Sequence, residues 1–532
     1  MSAFEIVHEE RVVGKLSCFD RLLFKGHLTR LYPDGAFAHF LRAQDVLLKG
    51  FGRYVKQMTD ELKAHAIAAC EQSGRPYRYL PEAATRARAG SSKEELARAI
   101  AARDGVEQGL ICVLATVEPC VSFDVVGNAA AQRLEIVRRR RKCLHLYYYF
   151  LDREFGFCHV RIQSWFPFEV QVWVNGRAWL ARQLDARGVG YRRHDNALLA
   201  VDDLALAAKL AERLAHRAWP RLLNAFARRV NPHLETFQRA GFGGYYWVLE
   251  QAEVATDVMF ASRRALEPLY PELVAHAASA FSAEDVLRFL GRKLHGNLAA
   301  AVETSVRRRP EGWRVKHRMN RNSIKTYDKA SVLRVETTIN NPSEFRVLRR
   351  ISSRGRSSLR WCPMRKGVAD AWRYYQVAIQ ANERYLEALA ACQPKGEAVA
   401  ALDGLCRPAV RNGHRHGRFC PLTAPRPRPL PRRPRRRARD RRLPQPRPHP
   451  PPLPPTRPLG RRGPSPLPTR QPPDRQAARA RPRRQGPPPT ALPAHPPRLP
   501  GHGRQPRHAR PPLRASVRDR LRNLAQPANV KQ

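Results

Sequence analysis

GWRVKHRMNRNSIKTYDKASVLRVETTIN, residues Gly312 to Asn340, decides how this chain is read. Apolar and polar residues alternate in three runs, Trp313–Met319, Ile324–Lys329 and Val332–Ile339. The breaks Asn320-Arg321-Asn322 and Ala330-Ser331 are turn chemistry. Period two predicts a three-stranded antiparallel meander. One face turns Trp313, Val315, Ile324, Leu333, Val335 and Ile339 toward a core. The other carries Arg314, Lys316, Arg318, Lys325, Tyr327, Lys329, Arg334 and Glu336. Cations at alternate strand positions suit backbone phosphates, whose recognition needs charge rather than base identity.

Upstream, strand and helix signals alternate. GKLSCFDRLLFKGHL reads as a strand pair or a strand with a turn, and Ala36 to Cys70 as helix broken near Gly50 and Gly52. SSKEELARAIAARDG has Ser91 or Ser92 as an N-cap, glutamates in its first turn and a stop at Gly105. GLICVLATVEPC is a buried strand. CLHLYYYFLDREFGFCHVRIQSW alternates on both sides of a Gly-containing link, as a β-hairpin does. FEVQVWVNG adds a strand and RAWLARQLDARG a helix ended by Gly188. Leu204 to Val230 is a long amphipathic helix that Pro220 kinks or divides. A more helical block is expected from Tyr245 to His295.

Composition separates the chain into two materials. Of 96 Lys+Arg and 46 Asp+Glu, the segment Cys406–Gln532 holds 33 and 3, together with 33 of the 46 prolines. Such a segment cannot bury enough apolar surface to offset its ordering entropy, so disorder is expected there. The preceding residues keep a net positive charge, which favours a polyanionic partner. Ten cysteines occur without a CxxC pair, and Cys and His do not stand at zinc-ligand spacing, so no metal is expected. The N-terminus MSAFEIVHEERVVGK has no apolar h-region, and no run of about 18 apolar residues appears, so a cytoplasmic protein with no membrane association is expected.

FDRLLFKGHL, EPCVSF, KCLHLYYYF, LGRKLHGN and KHRMNRNSIKTYDKASVLRVETTINN together resemble a widespread family of uncharacterised bacterial proteins, over nearly all of residues 10–424. Members of that family end in a winged-helix-like segment, for which some carry a MarR-type regulator label. The resemblance therefore implies a C-terminal DNA-binding module and no catalytic residue. This chain departs from the family after about Pro425, where RPRPLPRRPRRRARDRR begins. Shifted by one base, codons compatible with the tail permit a helix, then a basic helix, then a short basic hairpin. The tail is thus expected to be an out-of-frame remnant of the winged helix.

Several motifs have a sharp reading and a plain one. Rolling-circle replication initiators carry similar Tyr-Asp-Lys and Arg-x-Glu strands. Tyr327 could attack a phosphodiester, with Glu336 or Asp328 helping to hold a metal ion. The plain alternative is a solvated basic sheet with a half-buried Tyr. His145 and His159 on paired strands could bind a metal, or be satisfied histidines. Tyr147, Tyr149, Trp165 and Trp173 could stack on bases, or fill a core. RRRRK, Arg138–Lys142, reads as a solvated or phosphate-contacting loop. Asp20, Arg21 and Asp257 in apolar contexts read as a buried ion pair, or as a carboxylate site built with Glu118 or Glu336.

The expected fold class is α/β, a mixed α+β core with antiparallel sheets and long helices plus a disordered Arg/Pro-rich tail. The expected organisation is 1–235 (mixed α/β with a central hairpin), 236–300 (helical), 301–405 (meander plus helix) and 406–532 (tail). The expected function is nucleic-acid binding, with DNA the partner and a mobile-element role in view, through Arg314, Lys316, Arg318, Lys325, Lys329 and Arg334. The alternative is a nicking phosphodiesterase using Tyr327, Glu336 and His145. A divalent metal is the cofactor under that alternative only. A third reading is the product of a non-functional, frameshifted gene.

Overall fold

The computed structural model describes residues 2–81, 92–291, 302–309, 312–353 and 356–392, together with the backbone of a two-residue strand pair, Val410–Arg411 and His414–Arg415. Apart from that pair, the expected tail and winged-helix remnant, 406–532, lie outside the described residues.

The strands, in chain order, are β1 (Val12–His27), β2 (Tyr77–Tyr79), β3 (Gly109–Asn128), β4 (Arg133–Asp152), β5 (Gly156–Gln163), β6 (Val170–Asn175), β7 (Tyr191–His194), β8 (Ala197–Val201), β9 (Tyr246–Phe260), β10 (Val302–Arg309), β11 (Gly312–Met319), β12 (Asn322–Lys329) and β13 (Val332–Ile339). All of these but β7 and β8 form one eleven-stranded sheet of order β10-β11-β12-β13-β9-β1-β6-β5-β4-β3-β2, and two further strands, β14 (Arg346–Ser353) and β15 (Arg356–Pro363), pair as a separate hairpin. Every pair is antiparallel except β2 with β3. Strands from all three expected segments, 1–235, 236–300 and 301–405, join this sheet. The fold is mixed α/β, with long helices such as Phe51–Gln72 and Ala371–Ala390 alongside it.

The meander forms at the predicted positions, and β10 adds a fourth strand at its edge. The two predicted faces are also correct. Val335 and Thr337 lie on the back, where Thr337 donates to Asn382 of the helix Ala371–Ala390 at 2.7 Å. Asn382 in turn donates to the Val254 carbonyl and to Thr256 Oγ1 on β9, both at 3.1 Å. A buried amide with three satisfied bonds ties that helix to two strands. The main core fills the space between the sheet and its helices. Ladder register puts Lys316, Lys325 and Glu336 on the front, level with Ala255 of β9.

Three local expectations are corrected. GKLSCFDRLLFKGHL lies, as far as His27, in one continuous strand of 16 residues, Val12–His27. Its glycines allow close packing rather than turns: a Cβ on Gly26 would lie 2.9 Å from the Trp247 ring. Residues 246–260, expected to be helical, form β9. Paired on both edges, β9 buries polar residues on both faces, Glu253 and Asp257 on one and Thr256 on the other, so apolar and polar positions do not alternate and the period-two signal is lost. RRRRK lies inside β4 rather than in a loop, because β3 and β4 continue as a two-stranded ribbon to Asn128 and Arg133. As predicted, Pro220 divides the long helix, into Leu204–Ala215 and Trp219–Val230. Ser92 is the N-cap of the helix Lys93–Arg103, with Glu95 completing a capping box.

Candidate functional site: a carboxylate cluster and a basic rim on one sheet face

The register of β1 against β9 slips between Phe19 and Arg21. A bulge re-aims side chains, and this one turns both Asp20 and Arg21 to the front. There Asp20 meets Glu253 of β9 and Glu336 of β13, with one carboxylate oxygen of each within 4.8 Å of the others. All three are buried. Lys325 Nζ lies 2.6 Å from Glu336 Oε1, and Tyr327 donates its hydroxyl to Glu336 Oε2 at 2.7 Å. Burial, then the charge of Glu336, push the Glu253 carboxyl up to about 7. Burial would raise Glu336 too, but Lys325 and Arg334 hold it well below the ordinary carboxylate value.

Beside this cluster is a closed ion network. Asp257 receives Arg334 Nε at 2.6 Å and Nη2 at 2.9 Å, and Arg177 Nη1 lies 3.0 Å from it. Asn196, in the turn of the β7–β8 hairpin, donates to both oxygens of Asp20 at 2.7 and 2.9 Å and accepts from Arg334 at 2.9 Å. The two readings of Asp20 and Asp257 therefore apply differently. Asp257 belongs to the buried ion network alone, whereas Asp20 takes part in both: Arg334 Nη1 lies 3.4 Å from its Oδ2, and it joins a carboxylate group with Glu336. Glu118 is elsewhere, between Lys93, Tyr147 and Arg161.

Arg334, expected on an open face, is fully buried, and its donors are occupied. Lys325 is held by Glu336 and Lys329 by Asp195. The remaining cations lie toward the β10 edge. Arg307, Arg314, Lys316 and Arg318 line a cavity of about 210 Å³ with Glu303 and Ser305. Among the described residues, Arg307, Arg314 and Lys316 have no ion-pair partner. Burial, then repulsion from Lys325, Arg314 and Arg318, lower the Lys316 ammonium below its ordinary value.

Tyr327 does not stand as an activated nucleophile. Burial and Glu336 raise its phenol well above the ordinary value, so its proton stays on and points at Glu336. His145 does not join it. Six strand steps separate β12 from β4, about 29 Å at 4.8 Å per strand. Nor does His145 pair with His159: it stands opposite Gln163, and His159 stacks on Trp173 at 5.6 Å inside a small core that also holds Tyr149. Trp165 lies under the Arg141 guanidinium, 3.6 Å from its ring centre.

At its own end of the sheet His145 lines a cavity of about 550 Å³ with Lys25, His27, Cys120, Arg138, Arg140, Arg161 and Glu169. Cys120 opposes Arg141 across β3 and β4, which sets Cys143 on the diagonal and His145 one step beyond. Cys120, Cys143 and His145 have ligand atoms within 4.8 Å of one another. Sequence spacing could not reveal this set. The ladder register that creates it could have been traced only from a hairpin extended through RRRRK.

Comparison with known family models, curated proteins and solved structures gives no match, so the residues alone carry the functional reading. No helix among the described residues is long and apolar enough to cross a membrane.

Proposed function

We propose that this protein binds nucleic acid, with DNA as the polyanion, through phosphate contacts on Arg314, Lys316 and Arg318 at the β10–β11 rim. The observation that carries this reading is that, among the described residues, Arg307, Arg314 and Lys316 have no ion-pair partner, with Lys316 lowered by burial and then by repulsion from Lys325, Arg314 and Arg318. An anion between them would relieve that repulsion, and a phosphate backbone supplies anions at regular spacing. The experiment is fluorescence anisotropy of the full chain with duplex DNA across a salt series. Replacing Arg314, Lys316 and Arg318 together with Ser should lower the magnitude of the log–log salt slope by about 0.9 per lost contact. An unchanged slope would assign binding to the Arg-rich residues after 405 and remove the rim from the reading.

The carboxylate cluster favours a second reading, divalent-metal-dependent cleavage of a phosphodiester. Three hard oxygen donors at one point suit Mg²⁺ or Mn²⁺. Such an ion would have to compete with Lys325, which now neutralises Glu336. In this reading Asp20, Glu253 and Glu336 hold the ion, and Tyr327 orients Glu336. Nicking of single-stranded DNA that needs Mn²⁺ and disappears in Glu336→Gln supports it. Nicking that survives the substitution rejects it.

A further inference from the structure

We infer that Cys120, Cys143 and His145 form a binding site for Zn²⁺, with a fourth coordination position open to the cavity beside them. Two thiols and an imidazole are a borderline-soft ligand set, which zinc prefers over the hard cations suited to carboxylates.

Three observations support the site independently of the ligand types. The first is convergence: the three donor atoms lie within 4.8 Å of one another although Cys120 and Cys143 are 23 residues apart. The second is the histidine. Its Nδ1 lies 3.2 Å from the Cys143 carbonyl, which can only accept, so Nδ1 carries the proton and Nε2 carries the lone pair. His145 is 1% exposed, yet Nε2 has no hydrogen-bond partner among the described residues. A buried acceptor without a partner costs about 1–3 kcal/mol, and a metal ion would satisfy it. Metal-bound histidines commonly donate their other N–H to a backbone carbonyl in this way.

The third observation is access and charge. His145 and Cys120 line the 550 Å³ cavity, so an ion has a route in and a face on which to keep a water or an anion. Three protein ligands plus an open position is the arrangement of zinc sites that exchange a ligand, rather than of closed structural ones. On binding, both thiols give up their protons, and the two thiolates neutralise the ion. The Sγ atoms are 2.8 Å apart. Two Zn–S bonds of about 2.3 Å at a tetrahedral angle span about 3.8 Å, so binding opens the pair by about 1 Å, within reach of a side-chain rotation. Zinc enters by displacing thiol protons to solvent, with no redox change.

The test loads the full chain with Co²⁺ as a spectroscopic substitute, and separately with Zn²⁺, under a phosphine reductant that does not bind metal. After desalting, metal per chain is measured. One equivalent should be retained, with a thiolate-to-cobalt charge-transfer band and tetrahedral d–d bands. Both should be lost in Cys120→Ser and in His145→Gln, and kept in Cys362→Ser, which removes a free thiol outside the site. Zinc should also protect Cys120 of the unmodified chain from alkylation, a readout that needs no variant to fold. Retention of metal in Cys120→Ser without the charge-transfer band would move the binding to side chains other than these thiols and overturn the proposal. Recovery of Cys120 and Cys143 as a disulfide from reducing cells, or alkylation unaffected by zinc, would overturn it as well.

Discussion

Arg334 and Asp257 face each other across the β13–β9 ladder, joined by two hydrogen bonds of 2.6 and 2.9 Å, and neither side chain reaches solvent. Twenty residues earlier, Arg314 sits on the same sheet face and has no ion-pair partner among the described residues. One motif therefore holds two arginines with opposite roles.

Arg334→Met should destabilise the protein by about 3–5 kcal/mol, because it leaves Asp257 charged, buried and short of one partner. Arg314→Met should change stability by about 0.5 kcal/mol or less. Urea unfolding midpoints of the two variants separate these outcomes. A mild Arg334 variant would mean that Arg177 alone satisfies Asp257.

Lys316 and Lys329 stand on the same face of the meander and look equivalent as phosphate ligands. Lys329 is bound to Asp195 in the β7–β8 turn. Lys329→Ser should leave the salt slope of DNA binding unchanged, whereas Lys316→Ser should reduce it by about 0.9. The same anisotropy titration reads both, and equal slopes would contradict the rim as the contact surface.

Glu169 gives an acid-side dependence. Burial raises its carboxyl, but His27 at 2.8 Å and Lys25 at 2.7 Å outweigh that and hold it at about 2. A lowered folded-state value means that the stabilisation is complete above the unfolded value of 4.5 and is lost as pH falls toward 2. The contribution is about 3 kcal/mol at neutral pH. Glu169→Gln should lower Tm at pH 7 and flatten the decline of Tm between pH 4.5 and 2. Parallel curves for variant and parent would refute the assignment.

Gly26→Ala tests why a strand was read as a turn. The added Cβ would sit 2.9 Å from a buried Trp247 ring that itself donates to Asn224 at 2.8 Å and is not free to move. Overpacking should cost about 1–3 kcal/mol, despite the entropy that alanine saves in the unfolded chain. A stabilised Gly26→Ala protein would show that the ring yields.

Local chemistry was legible wherever one residue's neighbours along the chain determine its state. Alternation between Trp313 and Ile339 identified three strands, their turns and both faces, because the side-chain period is a property of the extended backbone. Ser92 with Glu95 marked a helix start, and Pro220 a helix division, for the same reason: the capping and the missing N–H act within one turn. The strand β9 was lost because polar residues buried on both of its faces, Glu253 and Asp257 on one and Thr256 on the other, break the alternation.

What surrounds a face is decided by strand pairing between distant segments. Alternation puts Arg334 and Arg314 on one side of the sheet, but only the β7–β8 turn, bringing Asn196 over the ladder, removes Arg334 from solvent. Asp20 reaches Glu253 and Glu336 through a bulge and two long-range registers, and Cys120 reaches Cys143 and His145 through a ribbon register. Each register is held by backbone hydrogen bonds that do not depend on side-chain identity, so the residue types could name ligand chemistry while only the tertiary structure decided which of them meet.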